Sequence, residues 1–187
     1  MTDGQVRPVV VAPAAVLSTV AEAVDPLDPE VARLAADLVA TMRVSPGCVG
    51  LAAPQVGVGM QLFVLDVTGH RKARTCHGLV VLANARIVNG SQWKVEREGC
   101  QSVPDLTGDV RRAGRIVVAG QVPATGELRE VTTDAFEARA FQHEIDHCAG
   151  LLFLDRAAGA HAIHPRKIYQ APRTGAPPTP AGPSALP

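Results

Sequence analysis

The run His143-Glu144-Ile145-Asp146-His147 carries two imidazoles four residues apart, with a carboxylate directly after the first. On a helix, residues i and i+4 share a face, so both rings can aim at one point. Two imidazoles converging in this way suit a divalent cation, and Glu144 beside them is then a candidate general base for an attacking water. The pattern alone is only moderately specific, since short His/Glu runs also occur as polar surface on solvated helices. A catalytic site of this kind further needs a third protein ligand. His161 and His164 lie downstream of Gly150, at a spacing unlike the usual extensions of such helices. Cys100, in Glu98-Gly99-Cys100-Gln101-Ser102, is the better candidate. The adjacent glycine leaves room for close approach, and a soft thiolate with two imidazoles is a sensible ligand set.

These residues can converge only if the chain between them folds to bring them together. Asp134 can cap a helix running to about residue 149, with Ala138, Phe141, Ile145, Cys148 and Ala149 as its apolar stripe. Glu137 stands in its first turn and Gly150 at the position after its end. An earlier helix is predicted over 29–43: Asp28 caps it, Pro29 fills its first position, and Val31, Leu34, Ala35, Leu38, Val39 and Met42 recur at helical spacing. Residues 1–26 read as irregular or strand-like. From Cys48 to Gly59 the small residues are too dense to fill a core and instead allow a backbone or ligand close by. Strand-like segments stand at about 61–67, 79–88, 92–97, 115–121 and 127–133, separated by Gly, Asn and Pro turns. Strands in series followed by a helix, rather than alternating βαβ units, predict an α+β fold.

The 187 residues are enough for one core, read as a single domain over 1–168. The Pro/Gly/Ala-rich tail at 169–187 cannot bury enough surface to order itself. Lys plus Arg and Asp plus Glu each number 18, so electrostatics gives no reason to expect nucleic acid or an anionic membrane as partner. One Trp, one Tyr and four Phe argue against a base-stacking platform. No apolar run is long enough to span a bilayer, and no charged segment followed by a long apolar one opens the chain. The four cysteines form no C-x-x-C pair, which predicts a cytoplasmic protein with free or metal-bound thiols. Cys76 and Cys148 read as small buried residues.

Three stretches, in order, resemble the motifs of the peptide deformylases: Gly50-Leu51-Ala52-Ala53-Pro54-Gln55, Glu98-Gly99-Cys100-Gln101-Ser102, and Gln142-His143-Glu144-Ile145-Asp146-His147. The likeness extends to Asn84 and Ile87, to Val103-Pro104-Asp105, Val110 and Arg112, and to the segment Gly150 to Arg156. It implies an α+β fold with antiparallel β-sheets surrounding a central metal-binding helix. Cys100, His143 and His147 would bind one divalent metal ion, ferrous iron in the cell, which zinc or nickel can replace. Glu144 would move the proton from water to the leaving amine. The Gln55 amide and the backbone N–H of Gln101 would stabilise the oxyanion. Gly50 would hydrogen-bond the substrate's main chain, while Val49, Ala140 and Phe141 would touch its methionine side chain. The implied reaction is hydrolytic removal of the N-formyl group from the initiator methionine of nascent polypeptides near the ribosome, by a monomer or weak dimer. A divergent paralogue with another substrate and a non-catalytic metal- or peptide-binding protein are the alternatives; the intact Glu144 speaks against the second. Three positions depart from the family's usual pattern: Cys48 replaces a glycine, Gln101 a leucine and Ala85 a proline. Glu98 and Arg112 read as an ion pair supporting the Cys100 loop, and Asp146 as facing away from the metal, about 200° round the helix from Glu144.

Overall fold

In the computed structural model, which describes residues 4–166, helix α1 (Pro29–Val44) starts where the sequence supplies a cap. The Asp28 carboxylate accepts the Glu30 N–H at 2.8 Å, and Pro29 fills a position that needs no donor. Its apolar face, Val31, Leu34, Leu38 and Met42, packs on Leu51, Leu62 and Val64. The last two belong to strand β2 (Leu62–Leu65), whose four residues are all buried. Upstream of α1 the described chain is irregular apart from a short 3-10 turn at Ala15–Ser18 and an isolated bridge from Glu22 to Met60.

The remaining strands are β1 (Gly50–Ala52), β3 (Val80–Ser91), β4 (Lys94–Cys100), β5 (Val103–Arg112), β6 (Arg115–Gln121), β7 (Leu128–Asp134) and β8 (Ile163–Pro165). They form a five-stranded sheet in the order β1-β2-β3-β6-β7 and a three-stranded sheet in the order β4-β5-β8, with every pairing antiparallel. Strand β3 runs on to Ser91 through an irregularity at Asn84, whose φ is 51° and whose side chain exchanges hydrogen bonds with the Val24 backbone at 2.9 and 2.7 Å. Strands β1, β5 and β8 stand where the sequence shows no strand pattern. Gly108 within β5 is explained by packing: a Cβ there would meet the Phe153 ring at 2.7 Å.

Helix α2 (Ala135–Cys148) lies against the five-stranded sheet, its Ala138, Phe141 and Cys148 sharing a core with Phe63, Leu82 and Ile116. It ends at Gly150, with φ 71°, as the sequence predicts. Its start differs from expectation. Asp134 holds the N-cap position, but its carboxylate accepts from the Thr75 hydroxyl at 3.2 Å instead of capping the helix. The fold is α+β, as expected from the sequence. Cys148 is buried as predicted, whereas Cys76 is exposed, 3.5 Å from the Thr68 hydroxyl in the loop before β3. Among the described residues, no helix is long and apolar enough to cross a membrane. The Pro-rich segment at 169–187 lies outside the described residues.

Candidate active site

Strand β4 delivers Cys100 at its end, where the β4–β5 ladder shifts register between Gly99 and Cys100. Helix α2 delivers His143 and His147 one turn apart, with rings 4.9 Å apart at 89°. The Cys100 Sγ lies 3.3 Å from His147 Nε2, and one donor atom from each of the three residues falls within a 4.8 Å span. A tetrahedral ion with metal–sulfur and metal–nitrogen distances of ~2.3 and ~2.0 Å holds such donors about 3.5 Å apart, so the three side chains fit a divalent metal. The donor set is soft sulfur plus borderline nitrogen, and it leaves a position for a reactant. Burial would push the Cys100 thiol up, but His147 and His143 outweigh it and hold the group well below its usual value. Burial likewise opposes charge on His143, yet the Cys100 and Glu98 side chains raise it well above an ordinary histidine. The sulfur is thus set up as a thiolate, and a binding cation displaces the histidine's proton.

Around this centre stand Glu144 and Gln55. Glu144 is buried, and burial pushes its carboxyl up to about 7. Its Oε2 has no protein hydrogen-bond partner among the described residues, and a Cβ on Gly50 would overlap the carboxylate. Gln55 is anchored by its Oε1, which accepts the Ala52 N–H at 2.9 Å. Its Nε2 therefore points inward, 3.3 Å from both Cys100 Sγ and Ser102 Oγ.

Glu98 does more than the sequence suggests. It accepts from Arg112 Nε and Nη2 at 2.9 and 3.0 Å, and its Oε2 also lies 3.0 Å from His143 Nδ1. A bond there fixes the ring and turns Nε2 toward the cysteine. Burial would raise the Glu98 carboxyl, but bonds from His143 and Arg112 hold it below its ordinary value. Arg112 continues to Asp146 at 2.5 Å, and Asp146 to Arg156 at 2.7 Å, so Asp146 does face away from the metal donors. The available signal was the period of two along β4: Glu98 and Cys100 share a face of the strand.

A family model described as polypeptide deformylase matches residues 6–162. The chain belongs to the polypeptide deformylase family. A peptide deformylase of Rhizobium meliloti is 38% identical over 151 residues, which cover 80% of this chain and 84% of that protein. The solved peptide deformylase of Legionella pneumophila is 35% identical, with a TM-score of 0.73 over 82% of this chain and 86% of that one. That of Ehrlichia chaffeensis is 30% identical, with a TM-score of 0.76 over 84% and 90%. Deformylases are metallohydrolases, and Cys100, His143 and His147 form the metal site of this one.

The deformylase site opens into a groove of about 770 Å³ lined by Val49, Gly50, Gln55, Gln101, Ala140 and Glu144 among others. It runs between two sheet edges, β1 and β4, that are unpaired among the described residues. Phe141 is a correction to the sequence reading. Its ring is fully buried and packs edge-on to Phe63 at 6.0 Å, behind the groove wall. The side chain of Gln101 donates to the Pro46 carbonyl at 3.0 Å, joining the metal-ligand turn to the loop before β1. Cys48 turns its thiol onto the Gly50 carbonyl at 3.0 Å, and burial pushes that thiol up to about 12. Sequence reasoning missed Phe136, Arg139 and Arg166 on the groove wall. Arg139 is buried beside Phe136 and pairs with Glu96, at a helix position where a charge ordinarily signals a solvent face.

Proposed function

We propose that this deformylase hydrolyses the N-formyl group of the initiator methionine on newly made polypeptides, releasing formate and a free amine. The observation that carries the reading is the convergence of Cys100, His143 and His147 beside buried Glu144, at the floor of a groove flanked by two sheet edges. Cys100, His143 and His147 would hold one divalent ion, ferrous iron in the cell, with zinc or nickel as replacements. Such an ion, when bound, polarises the formyl carbonyl and makes an attacking water more acidic.

The chain's own residues do the rest. Glu144, with its carboxyl pushed up to about 7, is suited to take a proton from the attacking water at one oxygen. The water oxygen adds to the formyl carbon, and Glu144 returns the proton to the nitrogen as the C–N bond breaks. Gln55 Nε2, held inward by the Ala52 contact, donates to the oxyanion of the tetrahedral intermediate. The Gln101 backbone N–H, in the turn after Cys100, is the second donor. An extended substrate can hydrogen-bond along the edge at Gly50, as peptides do on exposed strand edges. Val49 and Ala140 supply apolar contacts for the methionine side chain. Phe141 supports that wall from behind.

We place the reaction in the cytoplasm, on chains emerging near the ribosome, with the enzyme a monomer or weak dimer and residues 1–168 acting as one catalytic unit. The deciding experiment is formate release from a formyl-Met peptide by anaerobically metal-loaded protein. Wild type turns over, and Glu144→Ala loses about 10²–10⁴-fold while keeping its metal. No release by the metal-loaded wild type sinks the reading. The Gln101–Pro46 contact favours a second reading, a deformylase with an altered preference for the first residue. A Gln101→Leu variant that gains nothing on formyl-Met peptides counts against it.

A further inference from the structure

The family match ends at residue 162, and the chain then forms strand β8, which carries an arginine to the catalytic groove. Strand β8 pairs with β5, setting Thr107 opposite His164 and Leu106 opposite Pro165. The next N–H, that of Arg166, donates to the Asp105 carbonyl at 2.8 Å, so its backbone is fixed. The guanidinium lies over Gly99: a Cβ there would overlap Nη2 and stand 3.1 Å from Cζ. Glycine at position 99 is therefore what gives Arg166 its seat, one residue before the ligand Cys100 and about 3.8 Å from it along the backbone.

The other cations of the groove have partners: Arg97 pairs with Asp109 at 2.6 Å, and Arg139 with Glu96. Among the described residues Arg166 pairs with no carboxylate, and residues 167–187 contain no Asp or Glu. The acids on the groove wall, Glu98 and Glu144, are buried in the site itself. Among the described residues, the charge on the groove wall left without a carboxylate is thus a positive, planar group suited to one.

We propose that Arg166 selects substrates by recognising an acidic side chain at the second or third residue of the formylated polypeptide. The second or third residue is named because an extended peptide advances ~3.3 Å per residue from the reacting group along the groove that Arg166 lines together with Gln55 and Glu144. The inference rests on the deformylase reading above and adds a preference that the family match does not cover.

The test uses full-length, metal-loaded protein and formyl-Met peptides that differ only by Glu or Gln at the second or third position. Wild type favours the Glu peptide by about three- to fivefold in kcat/KM, mainly through KM, and the preference fades with added salt. Arg166→Gln brings the ratio to about one, and Arg166→Lys restores part of it. If Arg166 served only the fold, the substitution would slow both peptides together and leave the ratio intact, overturning the proposal. Equal rates on the two peptides with wild type overturn it as well. If no peptide is turned over, the deformylase reading fails by itself. Calorimetric binding of unformylated Met-Glu-Ser and Met-Ser-Glu against Met-Gln-Ser and Met-Ser-Gln then decides about Arg166: a Glu preference at either position that is lost in Arg166→Gln supports it, and equal affinities at both positions overturn it.

Discussion

The space that Glu144 occupies exists because residue 50 has no side chain. Any Cβ on Gly50 would overlap the Glu144 carboxylate, and Glu144 is buried and cannot swing into solvent to escape. Gly50→Ala should therefore displace the base without touching Cys100, His143 or His147. A displacement of about 1 Å costs on the order of 10²-fold in rate. The expected outcome is kcat/KM down by about that factor with metal content at the wild-type level, measured by formate release and elemental analysis on the same sample. Loss of metal in step with activity would show that Gly50 serves the ligands instead. Most of the residues that converge here were legible in the sequence, because Gln55, Cys100, His143, Glu144 and His147 are unusual residue types in fixed local patterns. Phe141 was misplaced in the groove for a local reason. Its neighbour Ala140 faces the groove, and a helical step of about 100° turns the next side chain onto Phe63.

Helix α2 is enclosed on most sides, yet it buries Glu137, Arg139, Gln142, Glu144 and Asp146, so its place depends on polar partners as much as on packing. Gln142 exchanges bonds with both backbone groups of Ala113 at 3.0 and 2.9 Å, fixing the helix to the β5–β6 connection. Glu137 does the same for the loop before β3, accepting the Thr133 hydroxyl at 2.7 Å and the His77 N–H at 2.8 Å. Burial would raise the Glu137 carboxyl, but bonds from Thr133 and from the His77 backbone and ring together hold it below the ordinary glutamate range. A carboxyl depressed in the folded state contributes stability that is fully present above its unfolded pKa and is lost as pH falls through the folded one. Urea midpoints should thus fall as the pH is taken down through and below the ordinary glutamate range in the wild type. Glu137→Gln should be less stable at pH 7 but show a shallower acid drop, and parallel slopes for the two proteins would refute this. Such partners are invisible to periodicity. Helix α1 was legible within a residue because its apolar positions share one face and Asp28 caps it. Strand β5 was not, because Pro104, Gly108 and Asp109 argue against a strand locally. The Phe153 ring over Gly108 and the His164–Asp109 contact at 3.0 Å, both from distant sequence, compensate.

The metal donors come from two layers of the molecule. Cys100 belongs to the three-stranded sheet, whereas His143 and His147 ride on a helix that packs on the five-stranded one. Between these layers run charged ties as well: Glu98 on β4 and Arg112 on β5 reach His143 and Asp146 on α2, and Glu96 on β4 pairs with Arg139 on α2. An ion at the three donors therefore joins the small sheet to the helix, and its binding free energy adds to the stability of that junction. Free metal at about a thousand times its dissociation constant stabilises a protein by about 4 kcal/mol. For a chain of this length that corresponds to roughly 8–16 °C in melting temperature. Chelation should lower the melting temperature by up to that amount, and Cys100→Ala should melt at the same temperature with or without metal. The location of the effect is the sharper test. Hydrogen exchange after chelation should quicken most in β4, β5 and β8, while β2 and β3, held by the core around Phe63 and Leu82, keep their protection. Even loss of protection across both sheets would mean that the ion stabilises the fold as a whole and does not act as the tie between its layers.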